Sequence, residues 1–379
     1  MKNRSFILLN LILCIVLTSC GIEEYIPDDI ISAEKTENEA VSQEEEKVID
    51  IPYEEPKEQI AEEETVSEDE PEDSVVTLLF AGDIAFDDHY ANMVSLRKRG
   101  GIEECISPYI VEEMNKADIC MINNEFPYSD RGTPTPNKKF TFRAKPETVE
   151  YMKVLGVDIV GLANNHAYDF GPDALLDTFD TLSGAGIPYV GAGHNIDEAA
   201  APYYIEKNGT NIAFVCATQI ERSLPPDTKE ATATEPGVLR TLDPTRFVQE
   251  IEEADANADF VVVFVHWGSE NVNETEQAQR ELAGAYAKAG ADLIIGAHPH
   301  VLQGFEYVEG IPVMYSLGNF WFNSKPLDNC VVKAELTNKE ISKLQFVPCR
   351  QRDCYTKETV KGDGEYERIM DFERSLSNG

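Results

Sequence analysis

Uninterrupted apolar runs, separated by segments of helical character, are the feature of this sequence that most restricts its fold. The runs occupy residues 75–81, 118–122, 157–162, 211–217 and 260–265. Helices are expected between them at 102–116, 146–155, 172–183 and 277–289. A strand exposed on one face alternates apolar and polar residues, whereas a continuously apolar strand indicates a sheet buried on both faces. The pattern therefore predicts an α/β domain in which helices cover a largely parallel sheet.

The helical spacers are missing after residue 311. Strands are expected there at 311–317, 329–336 and 341–347, which predicts a second and more antiparallel sheet region. The preceding segment 221–243 is rich in Pro, Thr and Glu and predicts a long loop. We expect the folded domain to span residues 75–350. Residues 351–379 are expected to form a C-terminal extension that is loosely ordered from residue 355 because it is polar.

The N-terminal segment has the organisation of a bacterial lipoprotein signal. A positively charged start precedes an apolar run, residues 6–17, that is too short for a comfortable membrane-spanning helix. The following Leu17-Thr18-Ser19-Cys20-Gly21 resembles the lipobox, in which the cysteine thiol is lipidated. We predict a signal peptide over residues 1–19 and a lipid anchor at Cys20 on the extracytoplasmic face of the cell membrane. The alternative is an ordinary secretory signal with an incidental cysteine.

Residues 20–74 predict a disordered acidic linker. Residues 21–74 contain 22 Asp or Glu but only three Lys, and large apolar residues are sparse. Such a segment cannot bury enough surface to offset the entropy of ordering, and its charges repel one another. We expect it to hold the domain away from the membrane surface.

The remaining chain, residues 75–379, is also acidic, with 47 Asp or Glu against 27 Lys or Arg. This excess of negative charge opposes binding to a phosphate backbone, so nucleic acid is not expected as a partner. Cys349 and Cys354 are close in sequence, and an extracytoplasmic location would permit a disulfide between them. Cys120 and Cys216 lie inside apolar runs and are expected to be core residues.

Polar clusters follow the ends of six expected strands. They contain Asp83, Asn124-Glu125, Asn164-Asn165-His166, His266, His298-Pro299-His300 and Asn319. In open α/β sheets the binding crevice lies outside the carboxyl ends of the strands, so parallel strands would bring these clusters to one rim. Each cluster alone is explained by a turn or a packed core imidazole. Their repeated placement at strand ends favours a functional site.

The segment His298-Pro299-His300 is the sharpest of these signals. Pro299 fixes its own φ and favours an extended His298, and in extended backbone residues i and i+2 point to the same side. Two imidazoles can then bind one metal or two neighbouring metals. The oxygen, amide and imidazole ligands of this mixed site would be Asp83, Glu125, Asn165, His266, His298 and His300. Such a site suits one or two divalent ions of Mn, Zn or Fe and binds Ca poorly.

Seven segments between residues 76 and 322 occur in a specific order: Gly82-Asp83, Asn124-Glu125-Phe126-Pro127, Phe140-Thr141-Phe142-Arg143-Ala144-Lys145-Pro146, Ala163-Asn164-Asn165-His166-Ala167-Tyr168-Asp169, His266-Trp267-Gly268-Ser269-Glu270, Gly296-Ala297-His298-Pro299-His300 and Tyr315-Ser316-Leu317-Gly318-Asn319-Phe320. This ordered set resembles the bacterial poly-γ-glutamate capsule biosynthesis protein (CapA) family. That family is similar to the calcineurin-like metallophosphoesterases. The resemblance implies a four-layer α/β/β/α metallophosphoesterase-like sandwich with a two-metal site between its sheets.

The resemblance also implies roles for individual residues. The implied metal ligands are Asp83, Glu125, Asn165, His266, His298 and His300, with Glu125 in the bridging position. His166, beside Asn165, is implied to be catalytic. The implied activity is metal-dependent hydrolysis or transfer in the synthesis, export or processing of poly-γ-glutamate, with other capsule synthesis proteins as partners.

The sequence departs from the related phosphoesterases at one ligand. Those enzymes begin with Asp-x-His, whereas the corresponding residues here are Asp83-Ile84-Ala85. One metal therefore loses a ligand unless Glu270 or His89 replaces it. Two alternative functions stay open: a non-catalytic component that binds polymer or partner proteins in a capsule assembly complex, and a phosphoesterase.

A polyanionic substrate such as poly-γ-glutamate would need a local basic patch, or a metal, to bind this acidic domain. The dense basic cluster near a motif is formed by Lys138, Lys139, Arg143 and Lys145. We regard Lys138, Lys139 and Arg143 as candidate substrate-binding residues, together with Glu270 and Asn319. A solvated loop without a ligand is the alternative for the cluster.

Overall fold

The structure is a computed structural model, and it describes residues 74–220 and 228–377. The expected signal peptide, the anchor at Cys20 and the acidic linker up to residue 73 lie outside the described residues. Within the two described ranges, no helix is both long and apolar enough to cross a membrane.

The strands and helices alternate through most of the described chain. The strands are β1 (Val75–Ile84), β2 (Ile119–Asn124), β3 (Ile159–Gly161), β4 (Tyr189–Val190), β5 (Ala192–Gly193), β6 (Tyr203–Lys207), β7 (Thr210–Thr218), β8 (Gly237–Val238), β9 (Phe260–His266), β10 (Leu293–Ala297), β11 (Leu302–Val308), β12 (Ile311–Leu317), β13 (Asn319–Trp321), β14 (Leu327–Thr337), β15 (Glu340–Arg352) and β16 (Tyr355–Glu358). The helices are α1 (Ala91–Arg99), α2 (Pro108–Lys116), α3 (Glu150–Val154), α4 (Pro172–Ala185), α5 (Ile196–Ala200), α6 (Thr245–Asn257), α7 (Gln277–Lys288) and α8 (Gly364–Ser377). Two 3₁₀ turns lie at Ile102–Glu104 and Pro146–Val149.

Two large sheets form from these strands. The first has the order β16-β15-β14-β1-β2-β3-β4, and β13 pairs with β1 off this path. The second has the order β11-β12-β10-β9-β7-β6. In the first sheet β1 to β4 are parallel, and in the second β7, β9, β10 and β12 are parallel. The strands that precede the polar clusters therefore run in parallel within each sheet.

The sheets pack face to face, and helices cover their outer faces. Alternate residues of β9 point to opposite faces of the second sheet. Val261 and Val263 pack in the core beneath α6 and α7. Val262 and Phe264 pack in the core that the second sheet shares with the first. A Cβ at Gly161 of β3 would lie 3.2 Å from Phe264 Cδ1, which shows how closely the sheets approach. Buried residues of α2 and α4 join the first-sheet core. The predicted four-layer α/β/β/α sandwich is confirmed.

The antiparallel region predicted after residue 311 is not a sheet of its own. Strand β12 joins the second sheet parallel to β10, while β14 and β15 extend the first sheet antiparallel to β1. The division depends on long-range pairing, which local patterns do not encode. The helix expected at 102–116 is also interrupted, because Ser107 caps a new helix that begins at Pro108.

The C-terminal residues were expected to be loosely ordered, and this prediction is wrong for residues 355–377. Strand β16 pairs with β15, and α8 packs against β11. The boundary expected at residue 350 falls inside β15. The spacing of Tyr366, Ile369, Met370 and Glu373 places one buried stripe on α8 even though its overall composition is polar.

The six cysteines of the described chain are free and buried. Cys349 and Cys354 are therefore separate thiols, and not the disulfide that their sequence proximity suggested. Cys120 and Cys216 lie in the core as expected, with exposed fractions of 0% and 3%. In the expected long loop, residues 228–243 contain only the two-residue strand β8, which pairs with β5.

Candidate metal centre

The polar clusters converge at one rim between the two sheets. The first sheet contributes Asp83 near the end of β1 and Glu125 directly after β2. The second sheet contributes His266 at the end of β9 and His298 directly after β10. Convergence on one rim follows from the parallel strands, although the sequence did not show that two sheets would share it.

Two groups of candidate ligands meet there. The first is Glu125, His266 and His298, and the second is Asp83, Glu125 and His300. Within each group the ligand atoms all lie within 4.8 Å of one another. Glu125 belongs to both groups, and the bridging role that the resemblance implied for it stays a prediction.

The Oε1 atom of Glu125 tests whether a metal fits this site. It is fully buried and has no hydrogen-bond partner among the described residues. Imidazole nitrogens surround it: His266 Nε2 is 3.6 Å away and His300 Nε2 is 3.8 Å away, distances too long for hydrogen bonds. A buried carboxylate oxygen without a partner is costly, and a cation between it and the imidazoles would satisfy it.

Contacts at His266 support the same interpretation. Its Nε2 lies 2.8 Å from Asn165 Oδ1 and 3.0 Å from His298 Nδ1. One ring nitrogen cannot donate to the amide oxygen and accept from the second imidazole at the same time. Ligands gathered around one metal need no proton between them, so the donor set fits a divalent transition metal.

The backbone at His298 and His300, in the segment that follows β10, is not extended. His298 has φ 100° and His300 has φ 60°, both in the left-handed region. The expected reason for their convergence, an extended His-Pro-His segment, is therefore wrong. Non-glycine residues with positive φ cost about 1–3 kcal/mol each and persist where the surroundings impose them, which is typical of functional sites.

Burial and neighbouring charges shift the pKa values of His266 and His300 in opposite directions. Burial lowers the pKa of His266 well below its ordinary value, with His298 and His300 adding to the effect. Burial also lowers the pKa of His300, but Glu125 and Asp83 outweigh it and raise the pKa to about 9. Burial raises the pKa of Glu125 well above its ordinary range. The raised pKa of His300 shows that the carboxylates of the second group favour a positive charge beside them.

Asn123 connects both ligand groups, and sequence reasoning assigned it no role. Its Nδ2 donates to Asp83 Oδ1 at 2.7 Å and lies 3.3 Å from His266 Nδ1. Its Oδ1 accepts from Asn164 Nδ2 at 3.2 Å. Outer partners of this kind orient metal ligands. Its place beside Glu125 in a strand-end cluster was the available signal.

His166 is held by a residue that sequence reasoning also missed. Its Nδ1 lies 2.6 Å from Asp169 Oδ2, and its Nε2 faces Glu125 Oε1 at 4.0 Å. The Phe142 backbone N–H donates to the same Asp169 oxygen at 2.7 Å. The Phe142 ring packs on the imidazole with centroids 4.2 Å apart. The sequence signals for Asp169 were the His-x-x-Asp spacing and its place at the end of the segment 163–169.

The basic cluster divides between the interior and the surface. The Lys138 side chain is only 5% exposed, and its Nζ lies 2.6 Å from Asp169 Oδ1. It also donates to the Asn165 carbonyl oxygen. Lys138 is therefore part of the site interior and does not belong to a surface patch for substrate. Lys139 is exposed over the Phe140 ring, and Arg143 lies over the Phe170 ring.

The residues suggested as replacements for the missing histidine lie outside the donor groups. His89 is exposed, and its backbone N–H donates to Asp87 Oδ1. Glu270 is exposed, although it is close enough to contribute to the raised pKa of Glu125. Asn319 was a candidate for substrate binding, and the structure buries it at 1% exposure beside His300 and Asp83.

Two stacked sheets flanked by helices, with two carboxylate and imidazole ligand groups that share Glu125 at their rim, define a four-layer α/β/β/α domain with a candidate metal centre. Residues 77–324 match the family described as Bacterial capsule synthesis protein PGA_cap, and the chain belongs to that family.

Similar proteins include the capsule biosynthesis protein CapA of Bacillus anthracis, 33% identical over 288 residues that cover 73% of this chain and 68% of that protein. The PGA biosynthesis protein CapA of Bacillus subtilis (strain 168) is 32% identical over 281 residues, covering 73% of this chain and 72% of that protein. Among solved structures, a hypothetical protein from Thermus thermophilus is similar with a TM-score of 0.46 and 14% identity, covering 73% of this chain and 100% of that one.

Proposed function

We propose that this protein is an extracytoplasmic, membrane-anchored hydrolase or transferase of poly-γ-glutamate that works with one or two divalent metal ions. The observation that carries the proposal is the buried Glu125 Oε1, which has no hydrogen-bond partner among the described residues and faces three imidazoles. The polymer comes from the names of the Bacillus relatives, which are proteins of capsule or PGA biosynthesis. The anchor at Cys20 comes from the sequence alone.

In this proposal, the residues at the rim have two kinds of role, metal binding and proton transfer. Glu125, His266, His298 and Asn165 would hold one metal, and Asp83, Glu125 and His300 would hold the other. Bound Mn, Zn or Fe supplies a Lewis acid and lowers the pKa of a water ligand. Asp169 fixes the Nδ1 proton of His166, so that the lone pair of His166 Nε2 faces the reacting centre. His166 Nε2 could then take a proton from the attacking water and give that proton to the leaving group.

The surface beside the centre can receive an anionic chain. Lys139 and Lys145 are exposed, and Arg143 is half-buried on the same segment. Their side chains offer positive charge within an otherwise acidic domain, where carboxylates of the polymer would be repelled elsewhere. We propose Lys139 and Arg143 as contacts for polymer carboxylates.

The test uses the purified mature chain, stripped of metal and reloaded with Mn²⁺ or Zn²⁺. The length of poly-γ-glutamate is followed by size-exclusion chromatography, and bound metal is measured by mass spectrometry. We expect metal-dependent shortening or transfer of the polymer, lost in His298→Ala and kept in Lys153→Met, an exposed control on α3. Absence of bound metal, together with equal behaviour of wild type and His298→Ala, would contradict the proposal.

A second function is favoured by one specific observation, the alanine at position 85. If the missing ligand leaves the centre without catalysis, the domain would act as a polymer- or partner-binding component of a capsule assembly complex. Capsule production would then survive His166→Ala but not removal of the Cys20 anchor. Loss of capsule with His166→Ala at normal protein level favours the enzyme.

A further inference from the structure

We propose that Asn319, through its Oδ1 atom, is the ligand that replaces the histidine missing at position 85. It would complete the second ligand group of Asp83, Glu125 and His300. The inference rests on the proposed function only in requiring that the centre binds metal, and it does not depend on any catalytic activity.

Strand pairing brings Asn319 to this place. The short strand β13 runs parallel to β1, with Asn319 opposite Asp83 and Trp321 opposite Ile84. The Asp83 backbone N–H donates to the Gly318 carbonyl oxygen at 3.1 Å. A Cβ at Gly82 would lie 1.9 Å from that same oxygen, so only glycine permits this approach. This strand register therefore places Asn319 beside Asp83, a member of the second ligand group.

The contacts of His300 show what the Asn319 side chain does there. His300 Nδ1 lies 2.9 Å from Asn319 Oδ1 and 3.0 Å from Asp83 Oδ2. Both oxygens are acceptors, and a single N–H cannot donate well to both. Ligand atoms bound at right angles around a metal, with bonds of about 2.1 Å, lie about 3 Å apart. The three atoms therefore have the spacing of neighbouring ligands.

The first group contains the same arrangement. There, Asn165 Oδ1 lies 2.8 Å from His266 Nε2, as Asn319 Oδ1 lies 2.9 Å from His300 Nδ1. Both asparagines are buried, with exposed fractions of 3% for Asn165 and 1% for Asn319. Each group then consists of the shared Glu125 carboxylate, imidazole nitrogen and one amide oxygen, and the second group adds Asp83.

Ala85 has no side-chain atom that could bind a metal, and both of its backbone polar groups already make hydrogen bonds. Its N–H donates to the Trp321 carbonyl oxygen at 3.2 Å, and its carbonyl oxygen accepts from Asn92 Nδ2 at 2.7 Å. Both His89 and Glu270 are exposed and outside the ligand groups. Asn319 is the buried oxygen donor already in contact with His300.

The experiment measures metal binding directly. The mature full-length chain, stripped of metal, is titrated with Zn²⁺ against a chromophoric chelator, and bound metal is counted after dialysis. We expect two ions in the wild type. Asn319→Leu should lower the affinity for the second ion by about tenfold or more and leave the affinity for the first ion unchanged. Asn319→Asp should keep both, because it preserves the oxygen donor.

Two further variants make the result specific. Ala85→His in the Asn319→Leu background should restore binding of the second ion, because it supplies the imidazole that is absent at position 85. Asn329→Leu is the control, because Asn329 is equally buried on β14 and its side-chain atoms have no hydrogen-bond partner among the described residues. If Asn319→Leu does not fold, Asn319→Gln replaces it, since the longer side chain displaces the oxygen and should also weaken the second ion.

The outcomes separate this inference from the proposed function. Two ions bound with wild-type affinity by a folded Asn319→Leu or Asn319→Gln variant would overturn the role of Asn319. If the wild type binds a single ion, the role of Asn319 is also overturned, but a one-metal centre in the first group is still possible. A wild type that binds no metal overturns both the role of Asn319 and the proposed function.

Discussion

The Nδ1 atom of His166 lies 2.6 Å from Asp169 Oδ2, and both side chains are buried. A carboxylate only accepts hydrogen bonds, so the contact fixes the proton on Nδ1 and turns Nε2 towards Glu125. Lys138 holds the other oxygen of the same carboxylate. The three side chains form one buried unit against the candidate metal centre.

Under the proposed hydrolase or transferase activity, replacing Asp169 should impair the chemical step more than substrate binding. We expect Asp169→Asn to lower kcat by about 10- to 100-fold with little change in KM, because an outer partner that orients an imidazole is lost. Steady-state kinetics on poly-γ-glutamate, with bound metal counted in parallel, would measure this. Asp173→Asn, at an exposed aspartate on α4, is the control. An unchanged kcat in a folded Asp169→Asn variant would contradict the prediction.

Replacing Lys138 should reduce stability, because the buried Asp169 would lose its ion-pair partner. We expect Lys138→Met to lower the free energy of unfolding by about 3–5 kcal/mol. Lys153→Met removes a surface pair with Glu150 and should cost less than about 1 kcal/mol. Urea denaturation of both variants gives the comparison. Similar small losses would mean that the Lys138 ion pair does not stabilise the fold.

The buried Glu373 of α8 should make stability depend on pH. Burial raises its pKa from the ordinary 4.5 to about 8, although Ser377 opposes the shift. The neutral form is favoured in the folded state, so stability is fully present below pH 4.5 and falls until about pH 8, by about 1.4 kcal/mol per pH unit.

The variant Glu373→Gln isolates this contribution. Because glutamine cannot ionise, we expect it to match the wild type near pH 5 and to be more stable by a few kcal/mol at pH 8.5. Denaturant titrations at the two pH values measure the difference. A difference that stays constant between pH 5 and pH 8.5 would show that Glu373 ionises normally.

The six cysteines of the described chain should resist alkylation in the native protein. All are buried, and burial raises the pKa of Cys105 to about 11 and that of Cys216 to about 12, which suppresses the reactive thiolate. Iodoacetamide followed by mass spectrometry should give no labels on residues 75–379 when folded and six after unfolding. Four labels after unfolding would instead support the disulfide between Cys349 and Cys354.

Much of the architecture could be predicted because burial leaves a local pattern. Strands such as β1 and β9 are apolar nearly throughout since both of their faces are covered. The ordered motifs at their ends contain the residues that meet at the candidate metal centre. The sequence misjudged α8 because its polar composition concealed a single buried stripe at Tyr366, Ile369 and Met370. It also assigned Lys138 and Lys139 to one patch, although neighbouring side chains point to different environments.

By itself, the sequence determined that this chain contains a layered α/β domain with carboxylate, amide and imidazole groups at its strand ends, because periodicity and strand-end chemistry are local. Only the tertiary structure decided which of these groups meet. The pairing of β13 with β1 places Asn319 beside Asp83, residues 236 positions apart in the chain. The left-handed backbone at His298 and His300 and the buried contact between Lys138 and Asp169 likewise depend on packing between distant segments. Such contacts come from the folded whole, since no local preference favours them.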